Sequence, residues 1–133
     1  MTDGNGIQAL VIDDSRAMRR IVGSILEDFG YEVRPAGHGR EALDVLEEGY
    51  LPDLACVDWN MPVMDGLQFV SAVRSNPAHR SLTLMMVTTE SETSQIVRAL
   101  AAGAHEYVIK PFTADAIRDK LALLGLLPQE VAR

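Results

Sequence analysis

The segment that decides the fold reads QALVIDDS and spans residues 8–15. An uncharged and mostly apolar run ends there at two adjacent aspartates, Asp13 and Asp14. A short run with so little polar alternation is typical of a β-strand that is covered on both faces. The segment therefore predicts a buried strand with two carboxylates at its carboxyl end.

Similar runs recur along the chain and alternate with helical patterns. The other predicted strands are 31–34, 54–57, 82–87 and 107–109. Apolar residues spaced three or four apart predict a helix after each strand, and three of these helices are predicted to end at Gly30, Gly49 and Gly103. The third helix is predicted to stop before Asn76, and Thr113 is the predicted N-cap of the fifth. Alternating units of this kind predict an α/β fold, a parallel sheet with helices on both faces.

Polar residues follow four of the predicted strands, at the sheet edge where ligands of such folds bind. They are Asp13 and Asp14 after the first strand, Asp58 after the third, Thr88 and Thr89 after the fourth, and Lys110 after the fifth. Because the carboxyl ends of parallel strands share one edge, we expect carboxylates, hydroxyls and an ammonium group to meet there.

Electrostatics limits what such a site can do. Two carboxylates 4 Å apart repel each other by about 4 kcal/mol at an effective dielectric constant of about 20. Three ionised carboxylates therefore need a cation or a strongly raised pKa, and Lys110 supplies one positive charge. Oxygen ligands without histidine or cysteine favour Mg²⁺, with Mn²⁺ as a substitute, and leave coordination positions for phosphate oxygens.

Three kinds of phosphate chemistry compete for this site. A dinucleotide site needs glycines after the first strand, where this chain has Asp13-Asp14-Ser15, and no P-loop motif is present. The third kind is covalent: an aspartate attacks phosphorus, Lys110 offsets phosphoryl charge and Thr88 donates a hydrogen bond. The residue types do not decide which aspartate attacks. The adjacent pair suits a metal platform, and the isolated Asp58 suits a nucleophile.

Four stretches, in this order, resemble the receiver domain of two-component response regulators. They read VIDDS (11–15), VDWNMPVMDG (57–66), VT (87–88) and YVIKPF (107–112). The resemblance covers roughly residues 7–126 and is strongest to the stand-alone chemotaxis regulators of that family. It implies a doubly wound (βα)5, flavodoxin-like fold with strand order 2-1-3-4-5.

The resemblance also implies roles for individual residues. Asp58 matches the phosphoacceptor, which takes phosphate from a histidine kinase. Asp13 and Asp14 match the Mg²⁺ ligands, which are joined by Asp58 and by the backbone carbonyl of Asn60. Lys110 matches the lysine that pairs with the phosphoryl group, and its bond to the following proline is expected to be cis.

Further positions match residues that transmit or tune the signal. Thr88 matches the hydroxyl that moves toward the phosphoryl group, and Tyr107 the aromatic that turns inward with it. This motion alters the face formed by helix 4, strand 5 and helix 5, which is expected to bind a downstream protein. Asn60 and Glu90 match positions that tune hydrolysis of the acyl phosphate. Thr89 is bulkier than the alanine or glycine of many relatives and predicts slow loss of the phosphoryl group.

Composition limits the partners and the location. Twelve Lys and Arg against nineteen Asp and Glu among 133 residues argue against nucleic acid as a partner. No apolar run approaches the ~20 residues of a membrane span, and the polar start predicts no signal peptide, so a cytoplasmic protein without membrane insertion is expected. We expect a tail over 1–6, a receiver domain over 7–127 and a tail over 128–133 that is too short for an output domain.

The predicted function is that of a single-domain response regulator, a phosphoacceptor and not an enzyme, which controls chemotaxis through a protein target. The flagellar motor switch is one candidate target and a phosphatase is a further candidate partner. The acidic start of helix 4, residues 91–93, weighs against the flagellar target, since chemotaxis regulators often carry lysines there. A phosphorelay or developmental receiver is the first alternative. A Mg²⁺-dependent aspartyl-phosphate phosphohydrolase is the second, although its haloacid-dehalogenase type needs Asp-x-Asp after the first strand.

Other conspicuous residues receive simpler interpretations. Cys56, the single cysteine, is predicted to be a buried thiol. Trp59 is predicted either to border the pocket or to be partly buried. The remaining residues are three histidines without ligand spacing, predicted at the surface or in loops (His38, His79, His105), and three arginines of helix 1 that face either a partner or solvent (Arg16, Arg19, Arg20).

Overall fold

The computed structural model describes residues 6–89 and 93–128. Within them, the strands are β1 (Ile7–Ile12), β2 (Tyr31–Ala36), β3 (Leu54–Asp58), β4 (Thr83–Thr89) and β5 (Glu106–Lys110). The α-helices are α1 (Arg16–Asp28), α2 (Gly39–Glu47), α3 (Gly66–Arg74), α4 (Thr93–Ala102) and α5 (Ala114–Leu124). The strands form one parallel sheet in the order β2-β1-β3-β4-β5, so the predicted doubly wound α/β fold is confirmed.

The helices cover the two faces of the sheet unequally. One buried cluster joins the sheet to α2, α3 and α4, with Phe69 and Val70 fully buried in it. The other joins the sheet to α1 and α5, with Leu26 and Leu121 fully buried. Cys56 faces this second cluster, and burial raises the pKa of its thiol to about 12, so the predicted buried thiol is confirmed. None of the helices in the described ranges is long and apolar enough to cross a membrane.

Side-chain caps mark the starts of α1, α3 and α5. The Ser15 side chain accepts a hydrogen bond from the Met18 backbone and starts α1 directly after the aspartate pair. Asp65 and Gln68 form a reciprocal capping box at the start of α3. Thr113 caps α5 as predicted, and Gly30 follows the end of α1 with a positive φ of 105°. These caps fix the first residues of α1 and α5, which begin four residues after the last residues of β1 and β5.

The strands extend further than their apolar runs predict. Asp58 pairs with Val87, and Thr89 pairs with Lys110, so these polar residues are the last members of β3, β4 and β5. The prediction placed them just after the strands. Backbone hydrogen bonding continues to the sheet edge whatever the polarity of the side chains, and it thereby ties the site residues to the ladder.

His79 is a correction, because the surface or loop position predicted for it is wrong. It is 6% exposed and ends a short 3-10 helix, Pro77–His79. The Arg74 guanidinium donates hydrogen bonds to the carbonyl oxygens of His79 (3.2 Å) and Leu82 (2.7 Å), which pulls this turn onto the sheet. Burial of His79 thus results from a tertiary contact that residue spacing does not encode.

The loop between β3 and α3 contains a strained turn at Val63. This residue has a φ of +69°, and the Met64 backbone N–H donates to the Pro62 carbonyl oxygen at 2.6 Å, which closes a γ-turn around it. A β-branched residue in the left-handed region costs on the order of 1–3 kcal/mol. The Val63 side chain is 79% exposed, so no packing compensates for this strain.

We therefore expect Val63→Asn to raise the free energy of unfolding by about 1 kcal/mol, because asparagine tolerates the left-handed region far better than valine. Urea unfolding monitored by circular dichroism measures the change. The matched control is Val97→Asn, at an exposed valine within α4, where the two residues have similar helix propensity. Equal effects of the two substitutions would contradict the assignment of strain to Val63.

Candidate functional site

The carboxyl edge of the sheet brings together the polar residues that the sequence predicts. Asp13 follows β1, and Asp58 ends β3 on the neighbouring strand. Lys110 ends β5 and reaches back across β4: its Nζ lies 3.1 Å from Asp58 Oδ1 and 3.6 Å from Asp13 Oδ2. The predicted cis bond between Lys110 and Pro111 is confirmed.

Asp13, Asp14 and Asp58 form a cluster at this edge. One carboxylate oxygen from each lies within 4.8 Å of the others. Asp13 and Asp58 are buried, with 4% and 7% exposure, whereas Asp14 is exposed. The cluster thus has two buried carboxylates and one that faces solvent.

Backbone contacts hold the two buried aspartates. The Ser15 N–H donates to Asp13 Oδ1 at 2.9 Å, and Arg19 Nη1 donates to the Asp13 carbonyl oxygen at 2.6 Å. On the other side, the Gly66 N–H donates to the Trp59 carbonyl oxygen at 2.9 Å. A Cβ at Gly66 would lie 2.7 Å from the Asp58 carbonyl oxygen, so only glycine fits without moving the phosphoacceptor candidate.

The sequence does not predict these supporting roles of Gly66 and Arg19. Gly66 appears in the VDWNMPVMDG stretch, but nothing in that string reveals a close backbone approach to Asp58. The sequence predicts that Arg19 faces a partner or solvent. Its guanidinium instead donates a hydrogen bond to the backbone carbonyl of Asp13, directly after β1. Arg16 and Arg20 are exposed and line a groove of about 800 Å³ between α1 and β2 with Val33 and Pro35.

Burial and the crowding of like charges shift the ionisation of the site. Burial, followed by the charge of Asp13, raises the pKa of Asp58 to about 6, although Lys110 opposes the shift. Burial alone would lower the pKa of Lys110, but the charges of Asp58 and Asp13 outweigh it and raise that pKa. Lys110 therefore stays protonated, and Asp58 is ionised at neutral pH at an energetic cost.

The donor set fits a hard divalent cation. All the clustered ligand atoms are carboxylate oxygens, and the local charge is negative even after Lys110 is counted. Mg²⁺ prefers such ligands and keeps other coordination positions for water or phosphate. Asn60 is exposed and lies two residues after Asp58, and its carbonyl as a further ligand stays a prediction.

The other predicted residues occupy the strands next to this cluster. Thr88 is 2% exposed near the end of β4 and pairs with Ile109, while Thr89 pairs with Lys110 itself. Tyr107 lies on β5, partly buried against the cluster that joins the sheet to α2, α3 and α4. Glu90 lies outside the described residues.

Trp59 directly follows Asp58 and is 5% exposed. It packs in the same cluster as Phe69 and Val70, so it is more deeply buried than the predicted partial burial. His38 caps α2 through its Nδ1, and His105 lies in the loop before β5, where its Nδ1 accepts a hydrogen bond from the Leu84 backbone.

Comparison with known proteins agrees with this geometry. Residues 9–122 match the family model of the response regulator receiver domain, and the chain therefore belongs to that family. Similar proteins include chemotaxis protein CheY1 of Helicobacter pylori, which is 40% identical over 119 residues, 89% of this chain and 96% of the relative. Chemotaxis protein CheY of Pseudomonas aeruginosa is 39% identical over 116 residues, 86% of this chain and 93% of the relative.

Solved structures give the same result. The chemotaxis response regulator CheY4 of Vibrio cholerae superimposes with a TM-score of 0.81 at 35% identity, covering 90% of this chain and 98% of that one. The predicted membership in the receiver family and the flavodoxin-like fold are both confirmed.

The raised pKa of Asp58 predicts that its ionisation destabilises the cation-free fold. Folding strengthens proton binding at Asp58, so ionising this carboxyl lowers the free energy of unfolding. This loss of stability is absent below the ordinary pKa of 3.8, grows as the pH rises to about 6 and is complete above that pH. We expect Asp58→Asn to raise the free energy of unfolding at neutral pH by about 2 kcal/mol in the presence of a chelator.

Urea unfolding from neutral pH down to about pH 4 tests this expectation. The gain of Asp58→Asn should shrink as the pH falls from about 6 toward 3.8, because the wild-type carboxyl then becomes neutral as well. Added Mg²⁺ should stabilise the wild type more than the variant. A stability difference that does not change with pH would show that ionisation of Asp58 is not its source.

Proposed function

We propose that this protein is a phosphoacceptor switch: Asp58 takes a phosphoryl group from a histidine kinase in a Mg²⁺-dependent reaction, and the phosphorylated form binds a protein target differently. The observation that carries the proposal is the convergence of Asp13, Asp14, Asp58 and Lys110 at one sheet edge, in a chain of the receiver family. We propose a signalling role and not an enzyme acting on external phosphate esters.

The chain's own groups account for the steps of this transfer. The ionised Asp58 carboxylate attacks phosphorus, an O–P bond forms, and the N–P bond to the donor histidine breaks, with the electron pair leaving on the imidazole nitrogen. A cation bound by the aspartates would neutralise charge on the phosphoryl oxygens. Lys110, already 3.1 Å from Asp58 Oδ1, is placed to exchange that oxygen for a phosphoryl oxygen.

The protein relatives support a role in chemotaxis. The relatives are named as chemotaxis proteins, and they cover most of this chain at about 40% identity. Helices α4 and α5 each expose an apolar side chain that a target can bury, Val97 on α4 and Leu123 on α5. Three finer points stay predictions: the flagellar motor switch as target, a phosphatase as partner and a cytoplasmic location. Residues 90–92, which precede α4, lie outside the described residues.

Phosphorylation by a small donor tests the central step. Incubation with acetyl phosphate and Mg²⁺ should add the mass of one PO₃ group to the intact protein, because the phosphoryl group passes to the Asp58 carboxylate and acetate leaves. Asp58→Asn and excess chelator should each abolish the addition. Asp65→Asn is the matched control, since asparagine caps α3 as well as aspartate does and the residue lies in the same loop.

The outcomes separate the two classes of function. A single stable addition that is lost in Asp58→Asn supports the switch. Multiple turnover of small phosphate esters, with no protein-bound phosphoryl group on intact-mass spectra, would support a phosphohydrolase and overturn the proposal.

Thr89 is expected to slow the loss of the phosphoryl group. It pairs with Lys110 across β4 and β5, so its side chain stands beside the residues that hold the phosphoryl group. We expect Thr89→Ala to speed dephosphorylation several-fold by opening a path for water, measured as decay of the phosphorylated mass after removal of acetyl phosphate. Thr83→Ala, at the opposite end of the same strand, should leave the rate unchanged. Equal rates in wild type and Thr89→Ala would refute this role.

A further inference from the structure

Lys120 on α5 makes two contacts with β5 that the phosphoryl-transfer site does not use. Its Nζ lies 2.8 Å from Glu106 Oε1 and 4.5 Å from the centroid of the Tyr107 ring. The same Glu106 oxygen accepts the Tyr107 backbone N–H at 3.0 Å. A cation, a carboxylate and an aromatic ring thus form one connected group, which we call the Lys120 clamp.

The clamp is partly shielded from water. The Lys120 and Glu106 side chains are 26% and 21% exposed, so their attraction is screened less than that of a surface pair. Burial alone would raise the pKa of Glu106, yet the bonds from Lys120 and the Tyr107 backbone lower it. Other ion pairs of α5 lie further out: Arg118 and its partners Asp115 and Asp119 are at least half exposed.

Anchoring α5 to the sheet does not require the clamp. Ile117 and Leu121 of this helix are fully buried against the sheet and supply the packing. What the clamp adds is a fixed cation over the face of Tyr107, because Glu106 restrains an ammonium group that would otherwise be mobile. A cation–π contact of this kind favours the ring position in which it forms.

We infer that Lys120, held by Glu106, is a positioning residue that keeps the Tyr107 ring in its resting place and thereby sets how readily the protein adopts the phosphorylated arrangement. The inference rests on the proposed function and on the expectation, implied by the family resemblance, that the Tyr107 ring moves upon phosphorylation. A contact that exists in one of two arrangements shifts their equilibrium by its own free energy. Loss of the clamp should therefore favour the activated arrangement and tighten binding of a phosphoryl mimic.

Beryllofluoride with Mg²⁺ is the probe of activation, and 3-fluorotyrosine is the probe of the ring. The chain has three tyrosines, so fluorine NMR gives three resonances, with Tyr31 and Tyr50 as internal references and Tyr107→Phe as the assignment. Lys120→Met keeps the apolar stem, Glu106→Gln keeps the shape without the charge, and Lys120→Arg keeps the cation. Arg118→Met removes a cation from α5 outside the clamp.

We expect Lys120→Met and Glu106→Gln to shift the Tyr107 resonance and to lower the apparent Kd of beryllofluoride about two- to fivefold, the strength of an exposed cation–π contact. Lys120→Arg and Arg118→Met should resemble the wild type in both measurements.

Two results would overturn the inference alone. One is a Tyr107 resonance that does not change in either variant. The other is that Lys120→Met and Glu106→Gln unfold more easily but bind beryllofluoride as tightly as the wild type. That result would mean that the clamp only stabilises the fold. If the wild type failed to bind beryllofluoride and acetyl phosphate added no mass, the proposed function itself would fall, and the inference with it.

Discussion

Charge crowding at the carboxyl edge of the sheet is the constraint on which the site depends. Asp13 and Asp58 are buried side by side, and each repels the other more strongly than it would in water. Lys110 offsets part of this repulsion, yet burial together with the charge of Asp13 still raises the pKa of Asp58 to about 6. The unmodified and cation-free edge is therefore an unfavourable arrangement, which a bound divalent cation would relieve. The same excess of negative charge would attract a divalent cation, and a bound cation would in turn attract phosphate oxygens.

The fold opposes that repulsion with backbone contacts. Ile12 pairs with Val57, so the ladder itself holds Asp13 and Asp58 level with each other. Ser15 both caps α1 and donates its backbone N–H to the Asp13 carboxylate. The absence of a side chain at Gly66 lets α3 start directly against the Asp58 backbone. Because sheet, cap and glycine fix the aspartates independently of their charges, the site keeps its geometry at a cost in stability.

The sequence predicted the parts of the molecule that depend on local patterns. Apolar runs that lead up to Asp13, Asp58 and Lys110 indicated the strands and their shared edge, since alternating strands and helices predict a parallel sheet. The strand order 2-1-3-4-5 was implied by the resemblance to the receiver family. Burial of His79 and the hydrogen bond from Arg19 to the β1 backbone depend instead on contacts between elements, which no spacing rule encodes. The Lys120 clamp could not be predicted from the sequence for the same reason. Lys120 and Glu106 are 14 residues apart, and only the packing of α5 on β5 makes them neighbours.

Strand β5 connects the two ends of this mechanism. Lys110 ends the strand at the charged edge, and Tyr107 lies three residues earlier, about 10 Å away at the usual rise of a strand. A phosphoryl group on Asp58 would replace the carboxylate oxygen that Lys110 now contacts, and the charge interactions involved amount to several kcal/mol. The Lys120 clamp has the strength of one weak contact. On the proposed mechanism, phosphorylation would overcome the clamp, while at rest the clamp would lower the population of the activated arrangement about two- to fivefold. A switch needs the clamp to be weaker than the charge interactions of the phosphoryl group. A clamp of equal strength would hold the Tyr107 ring in its resting position even after phosphorylation.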